Sequence, residues 1–177
     1  KDIENGLHCA TWLDEVPKPS YLFALVAGKL QKSVAYFKTR SQRELPIEFY
    51  VPPAATVKCD FAKEVLKEAM RWEEEIFDLE CELSQHMVAG VDKYASGASE
   101  PTGLNLFNTA NLFATPETRT DADFLRVLEV VAHEYFHYWS GDRVTIREWF
   151  NLPFKEGLTT FRAAMFRERL FGTDLIR

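Results

Sequence analysis

The stretch DADFLRVLEVVAHEYFHYW, residues 121–139, carries apolar side chains three and four positions apart along most of its length. This spacing predicts an amphipathic helix whose apolar face packs against a core. Thr120 and Asp123 match a capping box at its start. The helix also contains His133 and His137, which lie four residues apart and therefore share one side of it. The rest of the fold is expected to form around this helix.

Residues 133–137 form the pattern HExxH, which on a helix places two imidazoles and a carboxylate around one position. A metal ion bound there needs a third ligand, and Glu156 can supply it. Eighteen residues lie between Glu156 and His137, and Glu156 begins the next predicted helix. Two neutral imidazoles with one carboxylate are typical of catalytic zinc, whereas magnesium and calcium prefer oxygen ligands. We predict one Zn²⁺ per chain, held by His133, His137 and Glu156, with Glu134 as the general base.

The flanking sequence predicts a mixed α+β fold. Apolar and β-branched residues predict a buried strand at residues 20–27 and further strands at residues 33–37 and 44–51. A loop of small residues, 95–103, precedes another predicted strand at 104–107.

Helical spacing predicts a second helix over about residues 61–78, with Asp60 as its cap. Residues 143–149 suggest a strand or an extended link, and a final helix starts at residues 151–153, where Pro153 favours a first turn. The charged face of the second helix is interpreted as solvated surface and not as a binding patch; it comprises Lys63, Glu64, Lys67, Glu68, Arg71, Glu74 and Glu75.

The composition is that of a packed globular protein. The sequence has 21 Lys and Arg against 27 Asp and Glu, a net charge of −6, and 46% of its residues are hydrophobic. The acidic balance disfavours nucleic acid or a membrane surface as a partner, and no apolar run reaches the roughly 18–20 residues that span a bilayer. The three cysteines lack the spacing of a disulfide framework, so we expect a cytoplasmic protein. His8 and His86 are predicted to be ordinary polar residues.

Two segments around the histidines resemble a known enzyme family. HEYFHYWSGDRVT (133–145) and NLPFKEGLT (151–159) are similar to the zinc aminopeptidases of the aminopeptidase N type, which are gluzincin metallopeptidases. The resemblance is particularly to their bacterial alanyl-aminopeptidase branch. It extends through GLNLFN (103–108) and YLFALVAG (21–28), and so covers nearly the whole sequence.

The resemblance implies a domain arrangement and a reaction. Residues 1–29 would end an all-β N-terminal domain, and residues 30–177 would form the first part of a thermolysin-like catalytic domain with a mixed sheet, the HExxH helix and the helix of the third ligand. The implied reaction is hydrolysis of N-terminal residues from peptides that carry a free amine. The family's transition-state tyrosine and a second amine-binding glutamate have no counterpart here, which implies that the rest of a longer enzyme is required.

The family binds the substrate amine through the motif GAMEN, which aligns with Gly97-Ala98-Ser99-Glu100-Pro101. The resemblance implies that Glu100 holds the α-ammonium group and that the backbone near Gly97 and Ala98 meets the substrate carbonyl. Ser99 stands where the family has methionine and Pro101 where it has asparagine, which removes an amide side chain and a backbone donor.

Other positions leave alternatives open. Seven residues after the ligand glutamate the family usually has an acidic residue that orients a metal-bound histidine, whereas this sequence has Ala163. Lys155 matches the bacterial branch and is either a surface lysine or a residue near the catalytic carboxylate. Ser99, Pro101 and Ala163 favour an alternative hypothesis, in which the protein is a zinc-binding relative without activity of its own. An endopeptidase of the thermolysin type is a third reading, which Glu100 disfavours.

Overall fold

The computed structural model describes residues 2–3, 6–13 and 17–172, and its largest sheet has five strands. A short antiparallel pair, β1 (Asp2–Ile3) and β2 (Leu7–His8), precedes this sheet in the chain. The sheet consists of β3 (Gln31–Lys38), β4 (Glu44–Val51), β5 (His86–Val91), β6 (Ala98–Ser99) and β7 (Leu104–Asn108). Their order across the sheet is β3-β4-β5-β7-β6.

The inner strand pairs are parallel and the outer pairs are antiparallel. β4 pairs with β5 and β5 with β7 in parallel, whereas β3–β4 and β6–β7 are antiparallel. Parallel neighbours need a crossover, and α1 (Asp60–Phe77) lies in the connection between β4 and β5. The predicted strands at 33–37, 44–51 and 104–107 are confirmed as β3, β4 and β7. The α+β prediction is therefore confirmed as well.

The predicted strand at residues 20–27 is wrong. The segment contains a single 3₁₀ turn, Ser20–Leu22, and then continues as irregular backbone. Leu22 is buried, whereas Phe23 and Leu25 are 77% and 76% exposed. None of the strands formed by residues 2–3, 6–13 and 17–172 pairs with this segment. Without a hydrogen-bonding neighbour, an apolar run has no ladder to join, and its composition alone does not make it a strand.

α1 confirms the predicted second helix, but three of its polar residues differ from what the sequence predicted. Asp60 is the first helical residue and not the cap, and its carboxylate accepts a hydrogen bond from Lys63 Nζ at 2.8 Å. Lys63 and Glu74, predicted to be solvated, are buried. Lys63 lies over the ring of Phe49, and Glu74 accepts the backbone N–H of Arg40. Contacts with residues outside α1 explain why Lys63 and Glu74 are buried.

α2 (Asp121–Phe136) begins with the predicted capping box. The Thr120 hydroxyl accepts the N–H of Asp123 at 3.3 Å, and the Asp123 carboxylate accepts the N–H of Thr120 at 2.9 Å. The predicted apolar stripe continues to Trp139, but the helix ends at Phe136, with His137 as its C-terminal cap residue. The helix therefore stops at the second histidine of the motif.

The chain turns sharply after α2 and then starts the third helix. The turn contains the paired dipeptides β8 (Ser140–Gly141) and β9 (Val144–Thr145), so only two residues of the predicted extended segment 143–149 form a strand. α3 (Leu152–Phe171) follows, with Pro153 in its first turn as predicted.

The three helices pack around one aromatic cluster. α2 contacts both α1 and α3. The ring centroid of Phe136 on α2 lies 5.0 Å from that of Trp72 on α1 and 5.8 Å from that of Phe166 on α3. Across the described ranges, none of the helices is long and apolar enough to cross a membrane.

A buried ion pair connects these helices. Arg162 of α3 donates to the carboxylate of Glu73 on α1, and the two residues are 5% and 0% exposed. The same guanidinium donates to the backbone oxygen of Phe136 at 3.0 Å and to Ser140 Oγ at 3.2 Å. It also lies 4.9 Å from the ring centroid of Phe77. A single side chain thus joins α1, α3 and the turn after α2.

We expect Glu73→Gln to lower the free energy of unfolding by about 3 kcal/mol, because it leaves the Arg162 guanidinium buried without its counter-charge. The matched control is Glu68→Gln on the same helix, which removes an exposed pair with Arg71 and should cost less than about 0.5 kcal/mol. Urea unfolding measures both. Equal losses in the two variants would contradict the role given to the buried pair.

Candidate metal centre

His133 and His137 direct their Nε2 atoms to one point at the end of α2. These two atoms are 2.9 Å apart, and the rings meet edge to face at 88°. The side chain of His137 is 1% exposed and that of His133 is 23% exposed. The pair therefore lies at the boundary of the core, with access from the side of His133.

Glu156, the fifth residue of α3, contributes the third atom. Its Oε2 lies 3.3 Å from the Nε2 of His133 and 3.3 Å from that of His137. A tetrahedral zinc ion with ligands at about 2.0–2.1 Å separates its ligand atoms by about 3.3–3.4 Å, so the donor set and its spacing fit such an ion. The two histidines hold the pKa of the Glu156 carboxyl well below its usual range, which keeps this carboxyl group ionised.

The turn after α2 fixes the orientation of His137. Its Nδ1 lies 2.9 Å from the backbone oxygen of Ser140, which can only accept a hydrogen bond, so Nδ1 carries the proton. Nε2 is then the ring nitrogen that faces Glu156 and His133. Thr159 Oγ1 lies 3.2 Å from the same Nδ1 and 2.6 Å from Ser140 Oγ. These contacts keep the imidazole in the form that binds metal ions.

His133 has different surroundings. It borders a cleft of about 320 Å³ lined by Glu129, Val130, His133, Glu134, Thr160, Ala163, Ala164 and Arg167. Ala163 thus lines the same cleft as His133. This chain has a methyl group where the resemblance implies an orienting carboxylate.

Glu134 is buried beside the three candidate ligands. It is 7% exposed, and its Oε2 has no hydrogen-bond partner among the residues that the structure describes. Ligand-type atoms of Glu100, Glu134 and His137 all lie within 4.8 Å of one another. Burial, and then the negative charges of Glu100 and Glu156, raise the pKa of Glu134 well above its ordinary value. The unpaired Oε2 of Glu134 can therefore accept a proton.

The GAMEN-like segment forms the edge of the sheet. Ala98 and Ser99 are β6, which pairs with β7, and Glu100 follows at 9% exposure. The backbone oxygen of Gly97 accepts hydrogen bonds from the backbone N–H of Asn108 and from Asn111 Nδ2, both at 3.0 Å. The structure therefore brings Glu100 to the candidate metal centre, with Gly97 and Ala98 immediately before it in the chain.

Two residues of the site could not be assigned from the sequence. Lys155 is 5% exposed, so the surface-lysine alternative is wrong, and its Nζ contacts Glu100 and Glu156. Asp142 is also buried, and its pKa is raised to about 8 by burial and by the charge of Glu100. Lys155 had one sequence signal, its place beside the ligand Glu156. Asp142 had none.

The remaining histidines lie apart from this centre. His8 is exposed, whereas His86 is 1% exposed, with its ring centroid 5.9 Å from that of Tyr135. Burial lowers the pKa of His86 to about 4, so it is a neutral core residue. Within residues 2–3, 6–13 and 17–172, the groups of side chains able to hold a metal ion include neither histidine.

A helix with two histidines four apart, an intervening glutamate and a third carboxylate on the next helix is the arrangement typical of metal-dependent peptidases. Comparison with known proteins agrees, since residues 61–176 match the Peptidase family M1 domain. The chain therefore belongs to peptidase family M1.

Two curated relatives and one solved structure are informative. Aminopeptidase N of Haemophilus influenzae is 48% identical over 165 residues, and that of Escherichia coli is 45% identical over 174 residues, covering 93% and 98% of this chain. The crystal structure of Legionella pneumophila aminopeptidase A in complex with aspartic acid matches the whole chain with a TM-score of 0.98 and 81% identity. The chain spans about a fifth of the length of these proteins: 19% of each curated relative and 21% of the solved chain.

We expect Thr159→Val to weaken metal binding about 10–100-fold, because it removes a hydroxyl that contacts both His137 Nδ1 and Ser140 Oγ. The matched control is Thr160→Val, which removes an exposed hydroxyl at the next position of α3. Competition with a chelator of known affinity measures the change. Equal affinities in the two variants would show that Thr159 does not support the ligand.

Proposed function

We propose that this chain carries the zinc site and general base of an aminopeptidase, which releases N-terminal residues from peptides with a free amine. The proposal rests on one observation: Nε2 of His133, Nε2 of His137 and Oε2 of Glu156 form a triangle with edges of 2.9, 3.3 and 3.3 Å. Glu134 and Glu100 lie next to this triangle. The curated relatives named above are aminopeptidases, which supports the assignment.

In this proposal His133, His137 and Glu156 hold one Zn²⁺. When bound, zinc supplies Lewis acidity towards a peptide carbonyl and a water molecule. His137 contributes an oriented lone pair, because its Nδ1 proton is committed to Ser140. Glu156 contributes a single oxygen, because its other oxygen is bonded to Lys155.

Glu134 is the proposed general base. Its Oε2 is buried next to the ligand atoms and unpaired within the described part of the chain, so it can accept the proton of an attacking water. The same carboxylic acid can then donate that proton to the leaving amine.

Glu100 is the proposed anchor for the substrate's ammonium group. Its carboxylate approaches the base and His137, so an ammonium group bound to it lies close to the reacting atoms. A buried carboxylate favours a charged free amine over an internal peptide bond, which gives exopeptidase selectivity. We further propose that β6, as an edge strand, meets the substrate backbone through the segment of Gly97 and Ala98.

The solved relative supports a proposal for the first substrate residue. That aminopeptidase A was crystallised with aspartic acid, and the 21% of its chain that matches this one is 81% identical to it. We therefore propose that aspartyl N-termini are among the substrates. Because the chain covers about a fifth of its relatives, we also propose that turnover requires the remainder of a longer enzyme. The cytoplasmic location and the domain boundary between residues 29 and 30 stay predictions.

Replacing a ligand and replacing the base should have different effects in the full-length protein. We expect His137→Ala to abolish stoichiometric zinc, whereas Glu134→Gln keeps zinc and loses nearly all kcat, because an amide cannot accept the proton of water. Metal analysis and aminoacyl-anilide hydrolysis measure the two effects.

Zinc occupancy should also fall as the pH drops below the imidazole range, because the ligands must be deprotonated.

Two outcomes would overturn this assignment. Full zinc occupancy in His137→Ala would place the metal elsewhere, and near-normal turnover in Glu134→Gln would remove Glu134 from the mechanism. Zinc binding by the full-length protein without any turnover would favour the alternative of an inactive zinc-binding relative.

Glu100→Gln tests the amine anchor. We expect it to lower kcat/KM for free-amine substrates such as an aspartyl anilide about 30–1000-fold, which corresponds to about 2–4 kcal/mol of lost interaction with the ammonium group. The matched control is the same substrate with an acetylated amine, whose already slow hydrolysis should change little. An unchanged ratio of the two rates would show that Glu100 does not bind the amine.

A further inference from the structure

Lys155 is a buried cation shared by two carboxylates of different proposed roles. Its side chain is 3% exposed. The Nζ atom contacts Oε1 of Glu100 and lies 2.9 Å from Oε1 of Glu156. A lysine ammonium has three donors and no acceptor, so it can hold both oxygens at once.

The contact with Glu156 selects which carboxylate oxygen faces the histidines. Lys155 binds Oε1, whereas Oε2 lies 3.3 Å from the Nε2 atoms of His133 and His137. A carboxylate without this partner could rotate and exchange its two oxygens. The ammonium group therefore fixes the direction of the candidate metal ligand.

The contact with Glu100 has the same form. Lys155 binds Oε1 of Glu100, so this contact occupies one of the two carboxylate oxygens. The second oxygen is thus left for an incoming ammonium group. Because one Nζ atom binds both carboxylates, the positions of Glu100 and Glu156 depend on each other.

The fold provides a fitted space for this lysine. Gly141 has φ of +141°, and a Cβ placed there would lie 2.7 Å from Cδ and 2.8 Å from Cγ of Lys155. On another side, Nζ lies 5.5 Å from the ring centroid of Tyr21. A glycine in the turn after α2 and an aromatic ring from a distant segment both accommodate the lysine, so its buried position is built into the structure.

We propose that Lys155 is a positioning residue that couples the amine-binding carboxylate to the metal ligand. It holds Glu156 with Oε2 towards the histidines and Glu100 with Oε2 towards the substrate. This inference rests on the function proposed above for Glu100 and Glu156. It adds that replacing Lys155, which touches neither metal nor substrate, weakens both metal binding and amine recognition.

The first test measures zinc affinity in the full-length protein by competition with a chelator, which requires no activity. Lys155→Met should weaken zinc binding about 10–100-fold. The matched control is Lys63→Met, which removes another buried lysine paired with a carboxylate, that of Asp60 on α1, and should leave zinc affinity unchanged. Equal affinities in the two variants would overturn the proposal. If Lys155→Met does not fold, Lys155→Gln keeps a polar end in the same space and gives the same comparison.

The second test separates this role from a general loss of structure. Lys155→Met should raise KM for an aminoacyl anilide more than about fivefold in the otherwise unchanged protein, but less than about twofold in a Glu100→Gln background, because the carboxylate to be positioned is then absent. Equal effects in both backgrounds would overturn the coupling. Failure of the proposed function is seen separately, as an unchanged preference for free amines in Glu100→Gln alone.

Discussion

The ion pair between Glu73 and Arg162 determines how the candidate metal centre is held. The Arg162 guanidinium contacts α1 through Glu73, and reaches the end of α2 through the backbone oxygen of Phe136 and the hydroxyl of Ser140. Ser140 in turn orients His137. Burying two charges costs free energy unless they are paired, so the three helices must dock in one arrangement for the pair to be tolerated. That arrangement is the one in which the ligand side chains meet.

The end of α2 shows how this constraint reaches the site. A helix terminus leaves its last carbonyl groups without partners inside the helix. Here the oxygen of Phe136 accepts from Ser140 Oγ and Arg162, and the oxygen of His137 accepts the N–H of Asp142. These partners allow the terminus to be buried. The same turn carries Gly141, whose missing side chain leaves space for Lys155. The turn that ends the helix therefore also shapes the site.

Local patterns in the sequence predicted the parts that depend on local interactions. The capping box at Thr120 and Asp123 and the spacing of the two histidines are set by neighbours within a few positions. The strand at residues 44–51 was also predicted, and it pairs with the preceding strand β3 across a short turn. The strand predicted at residues 20–27 failed because strand formation needs a partner, which composition does not reveal.

The burial of Lys155 and Glu73 could not be predicted for a related reason. Their partners Glu100 and Arg162 lie 55 and 89 positions away, and no pattern in one sequence reports such pairs. A charged residue on a helix is usually solvated, so burial is visible only once the helices are docked.

The positions of the ligands along the chain have a consequence for chain entropy. His137 and Glu156 are 19 residues apart, whereas the Glu73–Arg162 pair closes a loop of 89 residues. Loop-closure entropy scales with about (3/2)RT ln n, so bringing the two ligands together costs about 1.4 kcal/mol less than closing the ion pair. The segment from α2 to α3 can therefore assemble its donor atoms at low entropic cost, and docking of α1 adds the Glu73 contact to Arg162.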